Sequence, residues 1–124
     1  MMIGEVSQKS GLSVDTLRFY EKIGLIDPPM RNDAGRRVYG VDVLGWIGFL
    51  EQLGATGMKQ ADRIHYAALR QQGDATLQER RKMLEAHRAV IAIKLAQMQD
   101  TSALMDRKVA AYHRMEKQAK GTIT

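Results

Sequence analysis

Apolar and polar residues change rhythm along this chain, and the changes mark its elements. In "MIGEVSQKSG" Ile3 and Val6 share one side of a helical wheel and Gly11 follows as a C-terminal stop, which predicts a short first helix. "SVDTLRFYEKIGLI", from Ser13 to Ile26, predicts a second. Leu17, Phe19, Tyr20 and Ile23 spread over one half of its wheel, while Asp15, Arg18 and Lys22 crowd into a narrow sector opposite. Ser13 is a good N-cap, Asp15 suits the positive end of the helix, and Pro28-Pro29 is expected to end it. Two helices joined by a three-residue turn containing glycine make a helix-turn-helix, with the small Ser7 at the crossing and Leu12 plugging the corner.

The pattern then shortens. Asn32-Asp33-Ala34-Gly35 is a turn signal between residues able to pair, so a small β-hairpin is expected, bearing Arg31, Arg36 and Arg37. A third helix, from about Val41 to Leu53, carries a broad apolar stripe of Val43, Leu44, Trp46, Ile47, Phe49, Leu50 and Leu53. "GATG" breaks it, and a fourth helix from about Met58 to Gln71 is expected to bury Ala61, Ile64 and Ala68, with Met58 a further candidate. "QGDAT" closes the compact part. From Leu77 the period becomes seven: Leu77, Leu84, Ile91, Met98, Met105 and Tyr112, with Met83, Val90 and Leu104 along one edge and Leu95 and Val109 along the other. A heptad sustained this far marks a helix lying along a partner helix, and a second copy of the chain is the natural supply. Asp100-Thr101-Ser102 carries a capping signature, so the pattern leaves open one long helix or a long and a short one. "AKGTIT" reads as a frayed end.

Composition narrows the chemistry. The 124 residues, 44% of them hydrophobic, suit one folded domain or a small domain with an extension. With no cysteine, disulfides, thiolate zinc sites and thiol redox switches are excluded. No apolar run approaches the ~18 residues of a membrane span and no signal peptide is evident, so a cytoplasmic protein without a membrane partner is expected. The net charge of +5 is unevenly placed, because the first 75 residues balance to zero and the whole excess lies in residues 76–124. A nucleic-acid surface in the first part must therefore come from local arrangement. His65, His87 and His113 have no ligand spacing, the methionines of the heptad row are explained by core filling, and Trp46 reads as core. No catalytic constellation, phosphate-cradling loop, metal site or cofactor site is evident, so an enzyme is not expected.

The order of elements, together with "IGEVSQKSGLSVDTLRFYEKIGLI" and "RNDAGRRVY", resembles the MerR family of bacterial transcription regulators over residues 2 to about 72. "LRQQGDATLQERRKMLEAHRAVI" and "LMDRKVAAYHRM" are similar to the dimerisation region of members with small effector domains. The combination of "TLRFYE", "GL" and "GRRVY" is more specific than a generic helix-turn-helix. The resemblance implies a second helix in the major groove, a hairpin wing on the phosphate backbone and an antiparallel coiled-coil homodimer. It implies a promoter with an overlong spacer, distorted on signal binding so that RNA polymerase is served indirectly.

Ser13, Thr16, Arg18, Tyr20 and Lys22 match positions of the family's reading helix. Arg18 is suited to paired contacts with guanine or phosphate, and Lys22 to phosphate as a point charge. Tyr20 lies on the apolar side, so core packing and a phosphate contact through its hydroxyl both stand. Asp15 fits a helix-dipole role, with a cytosine amino group as the alternative partner. Arg37 and Tyr39 match the family's wing residues, whereas Arg36 stands where many members have tyrosine. Arg31, Arg36 and Arg37 together suggest a phosphate track, against the plainer reading of a solvated hairpin. Lys59, near a helix start, is a further phosphate candidate, and Gly40 replaces the usual cap of the third helix.

The expected fold is mainly α: a winged helix-turn-helix DNA-binding domain over 1–72, a coiled-coil dimerisation region over 73–118 and a disordered tail over 119–124. The expected dimer contacts are Leu77, Leu84, Ile91, Leu95, Met98, Met105 and Tyr112. The expected function is a homodimeric, sequence-specific regulator on a pseudo-palindromic promoter operator. The alternatives are a coiled-coil adaptor and an architectural DNA binder without signal response. A small-molecule effector is an open possibility, with a site between Ile64 and Tyr66 and the partner's Met105–Tyr112 region.

Overall fold

The computed structural model describes residues 1–123, with side chains described through Gly121. The chain divides into two compact units, Met1–Leu84 and Glu85–Thr124.

The first unit begins with α1 (Ile3–Ser10), which stops where Gly11 turns left-handed at φ 78°. The turn is tied at both ends: the Ser7 hydroxyl donates to the Leu12 carbonyl at 2.6 Å, and the Leu12 amide donates to Ser10 Oγ at 3.2 Å. α2 (Val14–Ile23) starts at Ser13, whose hydroxyl oxygen accepts the Thr16 amide at 3.1 Å, satisfying one orphan donor of the first turn. Its end corrects the sequence reading. Gly24, at φ 85°, closes the helix before the prolines are reached. The Gly24 amide donates to the Glu21 carbonyl and the Leu25 amide to the Tyr20 carbonyl, at 3.2 and 2.9 Å. This paired closure turns Leu25 and Ile26 straight into the core, where both are buried.

The hairpin is as small as expected. β1 (Met30–Arg31) pairs antiparallel with β2 (Arg37–Val38), Met30 opposite Val38 and Arg31 opposite Arg37. Asn32 builds the turn, its side-chain oxygen accepting the amides of Ala34 and Arg36 at 3.0 and 2.9 Å.

α3 (Val43–Ala55) begins two residues later than the pattern suggested, leaving Val41 99% exposed. Val43, Ile47 and Leu50, at helical spacing, meet Val6, Leu17, Leu25, Ile26 and Tyr39 in one core. Burying a side chain such as Leu17 or Leu50 contributes about 1.5–3 kcal/mol of apolar transfer.

α4 (Gln60–Gln71) is present, yet its inner face is not the expected one. Tyr66, Ala67 and Leu69 are buried, Ile64 and Met58 are half-buried, and Ala61 and Ala68 are exposed. Aromatic packing decides the rotation of the helix. Tyr66 stacks on Trp46 with centroids 5.9 Å apart and meets Phe49 at 5.9 Å, while the Arg70 guanidinium covers Trp46 at 4.2 Å. The Trp46 indole is itself fixed by donating to the Leu25 carbonyl at 2.8 Å. Alanines cannot compete with that much aromatic area.

A single 3₁₀ turn, Gly73–Thr76, leads into α5 (Leu77–Ile123). Arg80 closes this corner by donating to the Gly73 carbonyl at 2.9 Å and to Thr76 Oγ1 at 3.1 Å. In the second unit α5 continues without a break through 100–102. The Thr101 hydroxyl donates to the Gln97 carbonyl four residues back at 3.1 Å, so it bonds within the helix instead of capping a new one. The helix also runs on through 119–123, where a disordered tail was expected; Thr124 lies outside the described residues.

Candidate nucleic-acid interface

Capping and packing together set the roll of α2. With Leu17 fully buried, Arg18 one position on faces outward, and Lys22 follows it a turn later. Ser13 and Asp15 are exposed at the start of the helix, and Thr16 is half-buried, its hydroxyl accepting from Ser13 Oγ at 2.9 Å. Phe19 corrects the wheel, because it is 47% exposed. Only a narrow face of α2 meets the core, and Phe19 stands about 200° from Leu17 around the helix.

The two tyrosines are both committed through their hydroxyls. Tyr20 donates to Glu51 Oε1 of α3 at 2.8 Å, and burial, followed by Glu51, raises its pKa against the opposing influence of Arg63. Arg63 also donates to the Leu50 carbonyl at 3.1 Å, so one polar group of contacts joins α2, α3 and α4. Phosphate only accepts hydrogen bonds. While the Tyr20 proton is given to Glu51 it is not offered to DNA, which favours the packing reading of this residue.

Tyr39 is buried and donates to Glu21 Oε2 at 2.8 Å; burial above all, then Glu21, pushes its pKa up to about 12. Arg37, two residues before it and on β2, donates through Nη2 to Glu21 Oε1 at 3.2 Å. Glu21 was absent from the sequence candidates. Its signal was its position one turn after Leu17, at the border of the buried face, where a carboxylate needs partners.

Arg18, Glu21, Arg37 and Tyr39 line one recess of about 200 Å³ with Met2 and Pro29. The structure thus brings an arginine of α2 and an arginine of the hairpin to the same opening. Lys22, Arg31, Arg36 and Lys59 are exposed and do not line it. Arg31 donates to the Gly35 carbonyl at 2.8 Å and so braces its own turn, and Lys59 occupies the N-cap position of α4 without a side-chain cap bond.

Of the expected dimer contacts, Leu77 and, in the second unit, Ile91, Leu95, Met98, Met105 and Tyr112 are exposed, with Met98 at 69%; Leu84 is half-buried. His87 is buried, while His65 and His113 are exposed. Of the residues expected near an effector, Tyr66 is buried against Trp46 and Phe49 of its own chain and Ile64 is half-buried. Among the described residues no group of three His, Cys, Asp or Glu side chains is placed to hold a metal, and no helix is long and apolar enough to cross a membrane.

A capped helix-turn-helix, a two-stranded wing carrying arginine beside it and a long C-terminal helix define a winged helix-turn-helix regulator. Comparison with known proteins agrees. Residues 3–39 match the family described as MerR family regulatory protein. The chain is 36% identical over 88 residues to the HTH-type transcriptional regulator AdhR of Bacillus subtilis, a match covering 71% of this chain and 63% of that protein. Among solved structures it resembles a putative MerR family transcriptional regulator from Listeria monocytogenes, at 38% identity and a TM-score of 0.81, covering 90% of this chain and 85% of that one. It also resembles HiNmlR, described as a MerR family regulator lacking the sensor domain and bound to promoter DNA, at 30% identity and a TM-score of 0.80, covering 91% and 90%. The chain belongs to the MerR family of transcriptional regulators.

Proposed function

We propose that this protein acts in the cytoplasm as a homodimer on a pseudo-palindromic promoter operator. The exposed apolar row of α5 joins two copies in an antiparallel coiled coil, which removes Ile91, Leu95, Met98, Met105 and Tyr112 from water. α2 enters the major groove, with Arg18 making paired contacts to guanine or phosphate and Lys22 a phosphate contact. Ser13 and Thr16 meet the backbone near the start of the helix. Arg31, Arg36 and Arg37 carry the wing along phosphates, and Lys59 adds a contact from the start of α4. Tyr20 and Tyr39 hold α2 and the wing in place from within. A signal then changes the distortion of the promoter spacer, and RNA polymerase responds to the altered DNA.

The observation that supports this most is the convergence of Arg18 and Arg37 on one recess between the reading helix and the wing. A 30% identical relative bound to promoter DNA adds support. The test is a gel-shift titration of parent and Arg18→Ala proteins against operator and scrambled duplexes. Loss of the operator preference, with the dimer intact by light scattering, is expected. Retention of the preference removes Arg18 from the reading role.

A further inference from the structure

Among the residues lining the recess between α2 and the wing, Glu21 alone is acidic. A carboxylate beside a phosphate track is a puzzle, since like charges repel. Its geometry resolves the puzzle. The Glu21 side chain is 12% exposed, and burial of a charged group is costly unless hydrogen-bonded partners meet it. Both partners come from the wing: the Tyr39 hydroxyl at 2.8 Å on one oxygen and Arg37 Nη2 at 3.2 Å on the other. The acceptor belongs to α2, one turn beyond the fully buried Leu17, so its position inherits the placement of the reading helix.

Resting on the DNA-binding reading above, we infer that Glu21 is a positioning residue that clamps the wing to the reading helix and aims Arg37 at the DNA backbone. The clamp leaves Arg37 functional. A guanidinium has five donors, Glu21 takes one Nη2 contact, and the Arg37 side chain remains 60% exposed. Pairing also neutralises the carboxylate, so Glu21 does not repel the phosphate that Arg37 binds. The buried, protonated Tyr39 hydroxyl supplies the second point of attachment, and two points fix an orientation where one fixes only a distance. The wing strand is tied on its other side as well, the Tyr39 amide donating to the Met1 carbonyl at 2.7 Å. That amide therefore reports whether the clamp is closed.

The test uses the full chain and a duplex selected by the parent protein. Glu21→Gln is compared with the parent, each with and without Arg37→Ala, across a salt series. Affinity is expected to fall about tenfold in Glu21→Gln, the loss of one charge-assisted contact. The slope of log K against log salt is expected to flatten by about 0.9, the share of one phosphate. Arg37→Ala should then cost little more in the Glu21→Gln background. Glu21→Asp keeps the charge with a shorter reach, and an intermediate loss is expected; it carries the same test should Glu21→Gln fail to fold. Tighter binding to every duplex at an unchanged slope, or an equal cost of Arg37→Ala in both backgrounds, would overturn the inference. So would parental affinity and slope in Glu21→Asp. Hydrogen exchange of the free protein separates this inference from the DNA reading. The Tyr39 amide is expected to exchange about tenfold faster in Glu21→Gln, whatever DNA does. Unchanged exchange overturns the clamp even if the parent selects an operator, whereas faster exchange in a protein that selects no operator leaves the clamp and removes the DNA role.

Discussion

Alkaline pH should weaken this domain, most strongly through the Tyr39 hydroxyl. Tyr39 is buried and its pKa stands at about 12, pushed up first by burial and then by Glu21, with Arg37 and Arg18 pulling the other way. In the unfolded chain it titrates near the usual 10.0. Between those values the folded protein holds a proton that the unfolded chain has released, so stability falls as pH rises. The contribution is fully present below pH 10 and lost by pH 12. A gap of two pH units, at 1.36 kcal/mol each, amounts to about 2–3 kcal/mol. Such a loss is a sizeable part of the roughly 5–15 kcal/mol that holds a small domain folded. The assay is urea unfolding followed by circular dichroism at intervals from pH 8 to 11.5, on the parent and on Tyr39→Phe. The raised Tyr20 hydroxyl is common to both proteins and cancels in the difference. By pH 11.5 the parent is expected to have lost about 2 kcal/mol more than the variant. Parallel curves would refute the burial of the hydroxyl against Glu21.

Three further outcomes follow from particular residues. Gly24→Ala places a Cβ where nothing lies within 4 Å but φ is +85°, so a loss of about 1–2 kcal/mol from backbone strain alone is expected in urea unfolding; undiminished stability would contradict the left-handed closure of α2. Met98→Glu puts a carboxylate on the most exposed of the seam positions, and sedimentation is expected to show a dimer weakened about a hundredfold or more; an unaffected dimer would place the seam elsewhere. Leu17→Ala should cost about 2–5 kcal/mol, because the side chain is fully buried behind Arg18; a loss below 1 kcal/mol in the same urea assay would mean that α2 is not seated on the core as described.

Features set by neighbours in the chain were legible in the sequence. The Ser13 cap, the Gly11 stop, the Asn32 turn and the apolar row of α3 depend on spacing and local hydrogen bonding, and each is where spacing puts it. The heptad row of α5 was equally plain, its residues now lying on a helix that crosses 100–102 because Thr101 satisfies its hydroxyl on the preceding turn. Features set by distant partners were not. α2 stops at Gly24, ahead of the prolines, because Leu25 and Ile26 have a core to enter. α4 turns Tyr66 inward because Trp46 and Phe49 receive it, a fact that no count of alanines contains. Phe19 lies on the apolar half of the α2 wheel yet is exposed, because the buried face of α2 is too narrow to reach it. Arg18 and Arg37 were visible as separate cations. Glu21, which holds the wing to the helix between them, has no local signature of that role, because both its partners come from the distant wing.

The most direct measurement is to sequence DNA fragments selected from a random pool by the purified protein. Two reading helices related by the dyad of a dimer should enrich an inverted repeat with half-sites spaced by whole helical turns, about 10 base pairs or a multiple. The enrichment should vanish in Arg18→Ala. A single unrepeated site, or a pool left random by a folded dimer, would contradict paired α2 helices as the means of reading DNA.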